Sequence, residues 1–129
     1  MYEELIQKAA EARNKAYAPY SGFTVGAALL TADGKIYCGS NVEAPSFLAC
    51  CAERNALYKA VFDGHRNFKA IAVTGGKAGA EPEDICPPCG ICRQALNEFC
   101  DPEFEIIMAR PDGYVVKTLA ELLPLGFKE

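Results

Sequence analysis

Residues 23–39 read FTVGAALLTADGKIYCG and contain two runs that favour β-strand, residues 23–31 and residues 35–39. The tripeptide Ala32-Asp33-Gly34 joins the runs, and an Asp-Gly pair in such a position is a strong local signal for a hairpin. We therefore expect two antiparallel strands here, with further elements on both sides of the hairpin.

Apolar side chains at helical spacing and short β-prone runs extend this pattern along the chain. Helices are predicted for residues 2–17, 51–63, 89–99 and 118–123, and further strands for residues 68–74, 104–109 and 114–117. Residues 75–88, rich in Gly and Pro, are expected to form a surface loop. Strands that alternate with helices predict an α/β protein whose five-stranded sheet is covered on both faces, and the hairpins make that sheet mixed.

Size and composition exclude several classes of protein. The 129 residues suit a single domain, expected to cover residues 1–129, and 50% of them are hydrophobic, as in chains that form a packed core. The net charge is −4 and no run of Lys or Arg occurs, so a nucleic acid polymer is an unsuitable ligand. No apolar stretch reaches the roughly 18 residues of a membrane span, and the acidic start does not resemble a secretory signal. We expect a cytoplasmic protein without a membrane partner.

Seven cysteines are more than packing requires in a chain of this length. In a reducing compartment, clustered cysteines indicate metal binding or catalysis before disulfides. The chemistry is concentrated in two segments, Cys51-Ala52-Glu53-Arg54 and residues 88–94, which read PCGICRQ. A single Cys-x-x-Cys can be a redox pair, a structural zinc site or a coincidence. The two segments together match the zinc deaminase signature, in which a Cys or His lies two residues before a Glu and a Pro-Cys-x-x-Cys follows.

Cys51, Cys89 and Cys92 are the expected ligands of one zinc ion per chain. Three protein ligands leave a fourth position for water, which distinguishes a catalytic zinc from a closed structural one. Both segments begin predicted helices, where free backbone N–H groups favour thiolates. The i to i+3 spacing of Cys89 and Cys92 places both sulfurs on one helical face. Glu53 is then the expected catalytic residue, because it can take a proton from the attacking water and deliver protons to the ring nitrogen and the departing amine.

Two arginines follow the expected ligands. Three thiolates on one divalent ion give a net negative centre, which weakens its power to acidify water. Arg54 is expected to offset this effect by hydrogen-bonding to a ligand sulfur. For Arg93, the same role and that of a solvated helix residue both remain open.

Further segments extend the match over nearly the whole chain. They are Tyr17-Ala18-Pro19-Tyr20-Ser21, residues 23–30, Asn41-Val42-Glu43 and Glu121-Leu122-Leu123-Pro124. With these segments and the two metal motifs, the chain resembles the small cytidine deaminases whose zinc ligands are all cysteines. The resemblance implies a three-layer α/β/α domain and a homotetramer with shared active sites. It also implies hydrolysis of cytidine and deoxycytidine to uridine and deoxyuridine with release of ammonia, as in pyrimidine salvage.

Substrate contacts follow from the same resemblance. It implies that Asn41 and Glu43 hydrogen-bond the ribose and that Phe23 packs on the pyrimidine ring. The backbone of Ala52 would meet the edge of the base. Phe127 matches an aromatic residue that family members contribute from a neighbouring subunit.

One segment departs from the family pattern. Between Asn41 and Cys51 the chain is one residue shorter than is usual, and Ala44-Pro45 replaces the more typical Asn-Ala. Phe47 lies near the position of a substrate-binding aromatic, usually Tyr. A modified cytosine nucleoside or a blasticidin-like nucleoside is therefore an alternative substrate, although Glu43 retains the acid of the nucleoside-type ribose motif.

Two other functions remain as alternatives. If Cys50 or Cys86 completed the coordination sphere, zinc would be structural and the protein a binding module. If Cys89 and Cys92 formed an isolated thiol pair, the site would be redox-active.

Overall fold

The computed structural model describes residues 1–128 and contains a five-stranded mixed sheet with helices on both faces. The helices are α1 (Tyr2–Arg13), α2 (Ala52–Phe62), α3 (Gly90–Phe99) and α4 (Leu119–Leu122), and the strands are β1 (Phe23–Thr31), β2 (Ile36–Ser40), β3 (Phe68–Lys77), β4 (Glu105–Arg110) and β5 (Gly113–Thr118). The strand order is β2-β1-β3-β4-β5, with β3 and β4 parallel and the other neighbours antiparallel. The predicted α/β class, element order and mixed sheet are confirmed.

Alternation along β1 divides its side chains between two cores. Ala28 and Leu30 belong to the core beneath α1, where Leu5 is fully buried. The core on the opposite face is larger and draws on α2, α3 and α4; its buried members are Ala27, Leu29, Ala52, Ala56, Leu57, Ala60, Ile71, Val73, Leu96, Cys100, Phe104, Ile106, Met108 and Leu119. The sheet is therefore the middle layer of three, as the family resemblance implies.

Two glycines let helices approach the sheet closely. A Cβ on Gly26 would overlap the carbonyl of Ala9 in α1, and a Cβ on Gly39 would lie 2.5 Å from the carbonyl oxygen of Ala52 in α2. Because glycine has no side chain at these two positions, α1 and α2 can pack at a short distance from the sheet. At Gly39 this contact positions the first turn of α2.

Helix α1 is shorter than the sequence predicts. The prediction ends at residue 17, but the helix ends at Arg13 because Tyr17 pairs with the segment after β2. The Tyr17 N–H donates to the carbonyl of Asn41 at 2.9 Å, and the Glu43 N–H donates to the carbonyl of Tyr17 at 2.8 Å. These bonds hold residues 41–43 against the loop that leads into β1.

Strand β3 is longer than predicted. The sequence predicts a loop over residues 75–88, but β3 continues to Lys77. Gly75 stays in the ladder, paired with Val25 of β1. Cys86 and Phe23 occupy the space where a side chain on Gly75 would lie, so the glycine marks a close approach and not the end of the strand.

Two further observations concern the helices. A short 3₁₀ helix, Ser46–Leu48, which the sequence does not predict, lies in the segment that departs from the family pattern. In the part of the chain that the structure describes, no helix is both long and apolar enough to cross a membrane.

Candidate metal centre and active site

Three thiols meet where two helices begin. Cys51 precedes the first residue of α2, Cys89 precedes the first residue of α3, and Cys92 lies in the first turn of α3. Their sulfur atoms all lie within 4.8 Å of one another, and Cys51 Sγ is 3.7 Å from Cys89 Sγ. Zn–S bonds of about 2.3 Å in tetrahedral geometry place neighbouring sulfurs about 3.8 Å apart. The cluster therefore fits a zinc ion.

The two helix starts and Arg54 favour a thiolate at Cys51. Free N–H groups and the helix dipole make both helix starts attractive to negative charge. The hydrogen bond from the Cys92 thiol, followed by that from Arg54, lowers the pKa of Cys51, and the same Cys51–Cys92 bond raises the pKa of Cys92. Arg54 Nη2 donates to Cys51 Sγ at 3.6 Å, and this bond raises the pKa of Arg54 further, so the guanidinium stays charged. Three thiolates and a divalent zinc ion carry a net charge of about −1, which one guanidinium offsets.

The coordination sphere is open. Within residues 1–128, the cluster of mutually close donor atoms comprises those three thiols and includes neither Cys50, Cys86 nor Glu53. Burial raises the pKa of Cys86 to about 11, which opposes thiolate formation there. A zinc ion held by these three thiols would keep a fourth position for water, as in catalytic sites and unlike closed structural sites.

Glu53 lies in the first turn of α2 and is only 4% exposed. Burial raises the pKa of its carboxyl to about 7, and the nearby Cys51 charge acts in the same direction. A carboxyl that titrates near neutrality can both accept and donate a proton at physiological pH, which general acid–base catalysis requires. The preceding residue, Ala52, is fully buried and is the first residue of the helix. Its backbone N–H therefore has no acceptor within the helix.

Arg93 hydrogen-bonds to backbone carbonyls. Its Nε donates to the carbonyl of Pro88 at 2.7 Å, and its Nη1 donates to the carbonyl of Leu122 at 2.7 Å. The sequence left two roles open for this residue, and the structure gives a third: Arg93 ties the loop before Cys89 to the end of α4.

Asn41 is hydrogen-bonded to the start of β1. Its Nδ2 donates to the carbonyl of Phe23 at 2.9 Å, and its Oδ1 accepts from the Val25 N–H at 2.8 Å. A side-chain amide offers two N–H donors and two acceptor lone pairs. One donor and one acceptor position of Asn41 therefore remain for a ligand.

Glu43 is held by the loop before β1. Its Oε1 accepts from the N–H groups of Tyr20 and Ser21 at 3.0 and 3.1 Å, and its Oε2 accepts from the Ser21 hydroxyl. The hydroxyl bond, with the backbone bonds, lowers the pKa of Glu43, so the group is a carboxylate at neutral pH. A carboxylate has about four acceptor positions, which leaves one for a ligand.

Backbone pairing joins these residues to the metal centre. Val42 and Cys50 exchange two backbone hydrogen bonds of 3.0 and 2.9 Å. Because Cys50 immediately precedes Cys51, the bridge places Asn41 and Glu43 beside the thiol cluster. The structure thus brings the candidate sugar contacts and the candidate metal ligands into one region.

Phe23 borders the same region. Its ring is 41% exposed, and its Cε2 lies 3.0 Å from the position of a Cβ on Gly75. The Cys86 sulfur lies 2.8 Å from that position, so the Phe23 ring and the Cys86 thiol both pack against Gly75. The Cys86 pKa, raised mainly by burial, is also raised by the charges of Glu53 and Cys51, so the thiol is close to the metal centre.

The other two aromatic candidates face solvent within a single chain. Phe47 of the 3₁₀ helix is fully exposed, and the Phe127 side chain is largely exposed. The Phe127 backbone is nevertheless fixed to α3. Gln94 Oε1 accepts its N–H at 3.1 Å, while Gln94 Nε2 and Asn97 Nδ2 donate to its carbonyl at 2.6 and 2.9 Å.

Three residues of this region make contacts that the sequence does not predict: Ser21, Gly75 and Cys86. A serine two residues before a strand often caps a backbone N–H, and this signal applies to Ser21. A glycine within an apolar strand signals close approach by another group, which applies to Gly75. Cys86 begins a second Cys-x-x-Cys frame with Cys89, which offers it as a fourth zinc ligand, and no signal in the sequence indicates its contact with Gly75.

Comparisons with known proteins agree with this geometry. Residues 1–108 match the family model of the cytidine and deoxycytidylate deaminase zinc-binding region. The chain is 45% identical over 129 residues to a cytidine deaminase of Sporosarcina psychrophila, with 98% of this chain and 91% of the relative covered. It is 44% identical over 125 residues to a cytidine deaminase of Halalkalibacterium halodurans, with 95% and 91% covered. The crystal structure of cytidine deaminase from Burkholderia pseudomallei is similar with a TM-score of 0.90 at 44% identity, covering 98% of this chain and 99% of that one. The chain therefore belongs to the family defined by the cytidine and deoxycytidylate deaminase zinc-binding region.

Proposed function

We propose that this protein is a zinc-dependent enzyme that hydrolyses cytidine and deoxycytidine to uridine and deoxyuridine with release of ammonia. The observation that carries the proposal is a buried Glu53 in the first turn of α2, two residues after Cys51, the member of the three-thiol cluster that precedes this helix. Relatives named cytidine deaminase, 44% to 45% identical over nearly the whole chain, support the choice of substrate.

Glu53 performs the proton transfers. Cys51, Cys89 and Cys92 would hold the zinc ion, which when bound would lower the pKa of a water from 15.7 towards about 7 and make hydroxide available at neutral pH. Glu53 takes a proton from this water as its oxygen attacks C4 of the pyrimidine, and delivers the proton to N3. It then moves the second proton to the exocyclic amine, which leaves as ammonia while the C4–O bond becomes a carbonyl. One water is consumed for each ammonia released.

The remaining hydrogen-bonding capacity suits a nucleoside. Asn41 retains one donor and Glu43 one acceptor, which together match a sugar hydroxyl that both accepts and donates. Phe23 packs on the pyrimidine face, and the N–H of Ala52 meets the edge of the base. A pocket built to bond a hydroxyl discriminates strongly against ligands that lack it.

A homotetramer with shared active sites completes the proposal. Phe47 and Phe127 are exposed in one chain, and contact with a second copy would remove their apolar surface from water. Gln94 and Asn97 hold the backbone of Phe127, so its ring can reach a neighbour from a fixed position. Sedimentation of the zinc-loaded protein at the mass of four chains is expected, and a monomer at every concentration would contradict shared sites.

The segment between β2 and α2 suggests a second candidate class of substrate. It is one residue shorter than the usual family pattern, forms the unpredicted 3₁₀ helix and exposes Phe47. A modified cytosine nucleoside or a blasticidin-like nucleoside is the alternative that this change favours. For either substrate class, we propose a cytoplasmic enzyme that consists of one domain, residues 1–129. For cytidine and deoxycytidine, the proposed role is pyrimidine salvage.

Ammonia release tests the proposal. Zinc-loaded protein is incubated with cytidine, deoxycytidine and a blasticidin-like nucleoside, and protein stripped by a chelator serves as the control. Turnover of the first two, lost on stripping and restored by zinc, is expected. No turnover of either by folded protein with one zinc per chain would contradict the proposal, and turnover of the third alone would favour the second candidate.

A further inference from the structure

Ser21 lies at the centre of the hydrogen bonds that join the candidate substrate contacts. Its hydroxyl donates to the carboxylate of Glu43, and its own N–H donates to the same carboxylate at 3.1 Å. Its Oγ accepts from the N–H of Phe23 at 3.0 Å. No family resemblance or expectation from the sequence assigns this residue a role.

The direction of each bond is fixed by its partner. The Glu43 carboxylate only accepts, and the backbone N–H of Phe23 only donates. The Ser21 hydroxyl therefore has one arrangement, with its single proton on the Glu43 bond and a lone pair on the Phe23 bond. Such a hydroxyl links the position of Glu43 to that of Phe23, and its single proton is not available to a substrate.

A further bond closes the network. The carbonyl of Phe23 accepts from Asn41 Nδ2 at 2.9 Å, so the same residue is held at its N–H by Ser21 and at its carbonyl by Asn41. The loop itself is held at both ends, since the Gly22 N–H donates to Ala18 at 3.0 Å and the Ala78 N–H donates to Gly22 at 2.8 Å. A displacement of Ser21 would therefore displace Glu43, Asn41 and Phe23 together.

We propose that Ser21 is a positioning residue that fixes the Glu43 carboxylate and the start of β1 relative to each other, so that the sugar and the pyrimidine are bound in one register. The inference rests on the proposed function, in which Glu43 and Phe23 contact the substrate. Ser21 touches neither reacting atoms nor metal, so its effect is on binding and not on the proton transfers.

The test is steady-state kinetics of Ser21→Ala with cytidine. A hydrogen bond to a charged group corresponds to a factor of about ten in an equilibrium constant, and we expect KM to rise by this factor because Glu43 is no longer held in place for the sugar. We expect this increase with kcat unchanged and one zinc per chain, because binding of ground state and transition state is weakened alike. Ser21→Thr, which keeps the hydroxyl, should recover most of the loss. Tyr37→Phe is the matched control, because it removes a 2.7 Å hydroxyl bond to the Asp63 carboxylate away from the site, and should leave KM unchanged.

A double-mutant cycle separates positioning from general loosening. In a Glu43→Gln background, Ser21→Ala should add less than about twofold to KM, because the bond it removes has already lost its charged partner. Amide hydrogen exchange tests the role of Ser21 independently of enzyme activity. The Phe23 N–H loses its acceptor in Ser21→Ala and should exchange faster there, but not in Tyr37→Phe. A parental KM in Ser21→Ala, or a full tenfold effect in both backgrounds, would overturn the inference. If the parent protein does not turn over cytidine, the proposed function fails instead, and unchanged exchange at Phe23 would then refute the role of Ser21 separately.

Discussion

Gly39→Ala should damage catalysis more than its distance from the reacting atoms suggests. The new Cβ would lie 2.5 Å from the carbonyl oxygen of Ala52 and 2.6 Å from the Ala56 nitrogen, both of them backbone atoms. Ordinary contact begins at 3.4 Å, so the start of α2 must move by about 0.9 Å. Overpacking of this kind costs about 1–3 kcal/mol, which lowers the melting temperature by roughly 4–12 °C.

The catalytic cost follows from where the displacement occurs. Ala52 lies between Cys51 and Glu53, so a shift of the helix start moves the proposed metal ligand and the proposed proton shuttle together. A misplacement of about 1 Å reduces the rate by about 100-fold. The assay is kcat/KM for cytidine at saturating zinc, measured well below the melting temperature of the variant.

A matched control distinguishes this effect from general instability. Gly26→Ala forces the same kind of overlap between β1 and α1, on the face of the sheet opposite α2. It should destabilise the protein at least as much while the folded fraction keeps its kcat/KM. Parental kcat/KM in Gly39→Ala, or an equal loss in both variants, would refute the claim that Gly39 positions the catalytic turn.

Three further outcomes are expected. Arg54→Ala removes the hydrogen bond to Cys51 Sγ and should weaken zinc binding about 10- to 100-fold in a chelator competition, whereas an unchanged affinity would show that the guanidinium does not tune the thiolates. Gly75→Ala pushes the Phe23 ring and Cys86 away from β3 and should raise KM for cytidine roughly five- to tenfold at constant zinc content; a parental KM would show that the ring is not held by this contact. Free zinc at 100 times its dissociation constant should stabilise the fold by about 2.7 kcal/mol in a thermal melt, and equal stability with and without zinc would contradict binding to the native cluster.

The elements that carry the chemistry could be predicted because their signals are local. Cys89 and Cys92 are three residues apart at the start of one helix, and Glu53 follows Cys51 within one turn of another, so spacing brings each pair together and the family signature links the two pairs. The hairpin of β1 and β2 was equally accessible, since the Asp33-Gly34 pair and the flanking β-prone runs agree.

The parts that could not be predicted depend on contacts between distant segments. Helix α1 stops at Arg13 because Tyr17 pairs with residues 41–43, a partner that local helical periodicity does not reveal. Strand β3 runs through Gly75 because Cys86 and Phe23 cover that glycine from other parts of the chain. Local patterns favour a helix up to residue 17 and a loop from residue 75, and contacts with distant segments override both.

The residues that support the site were missed for the same reason. Gly39 acts through a contact with Ala52, thirteen positions later, and Ser21 acts through Glu43. Such roles become visible only when the distances are known, whereas a metal ligand is recognisable from its residue type.

Glu53→Gln tests the central claim most directly, because it removes the proton shuttle and retains the size of the side chain. Zinc content and ammonia release from cytidine are measured on the same preparation. We expect one zinc per chain, as in the parent, with turnover reduced by at least about 100-fold. A variant that binds zinc and deaminates cytidine at the parental rate would contradict the assignment of Glu53 as the catalytic acid and base.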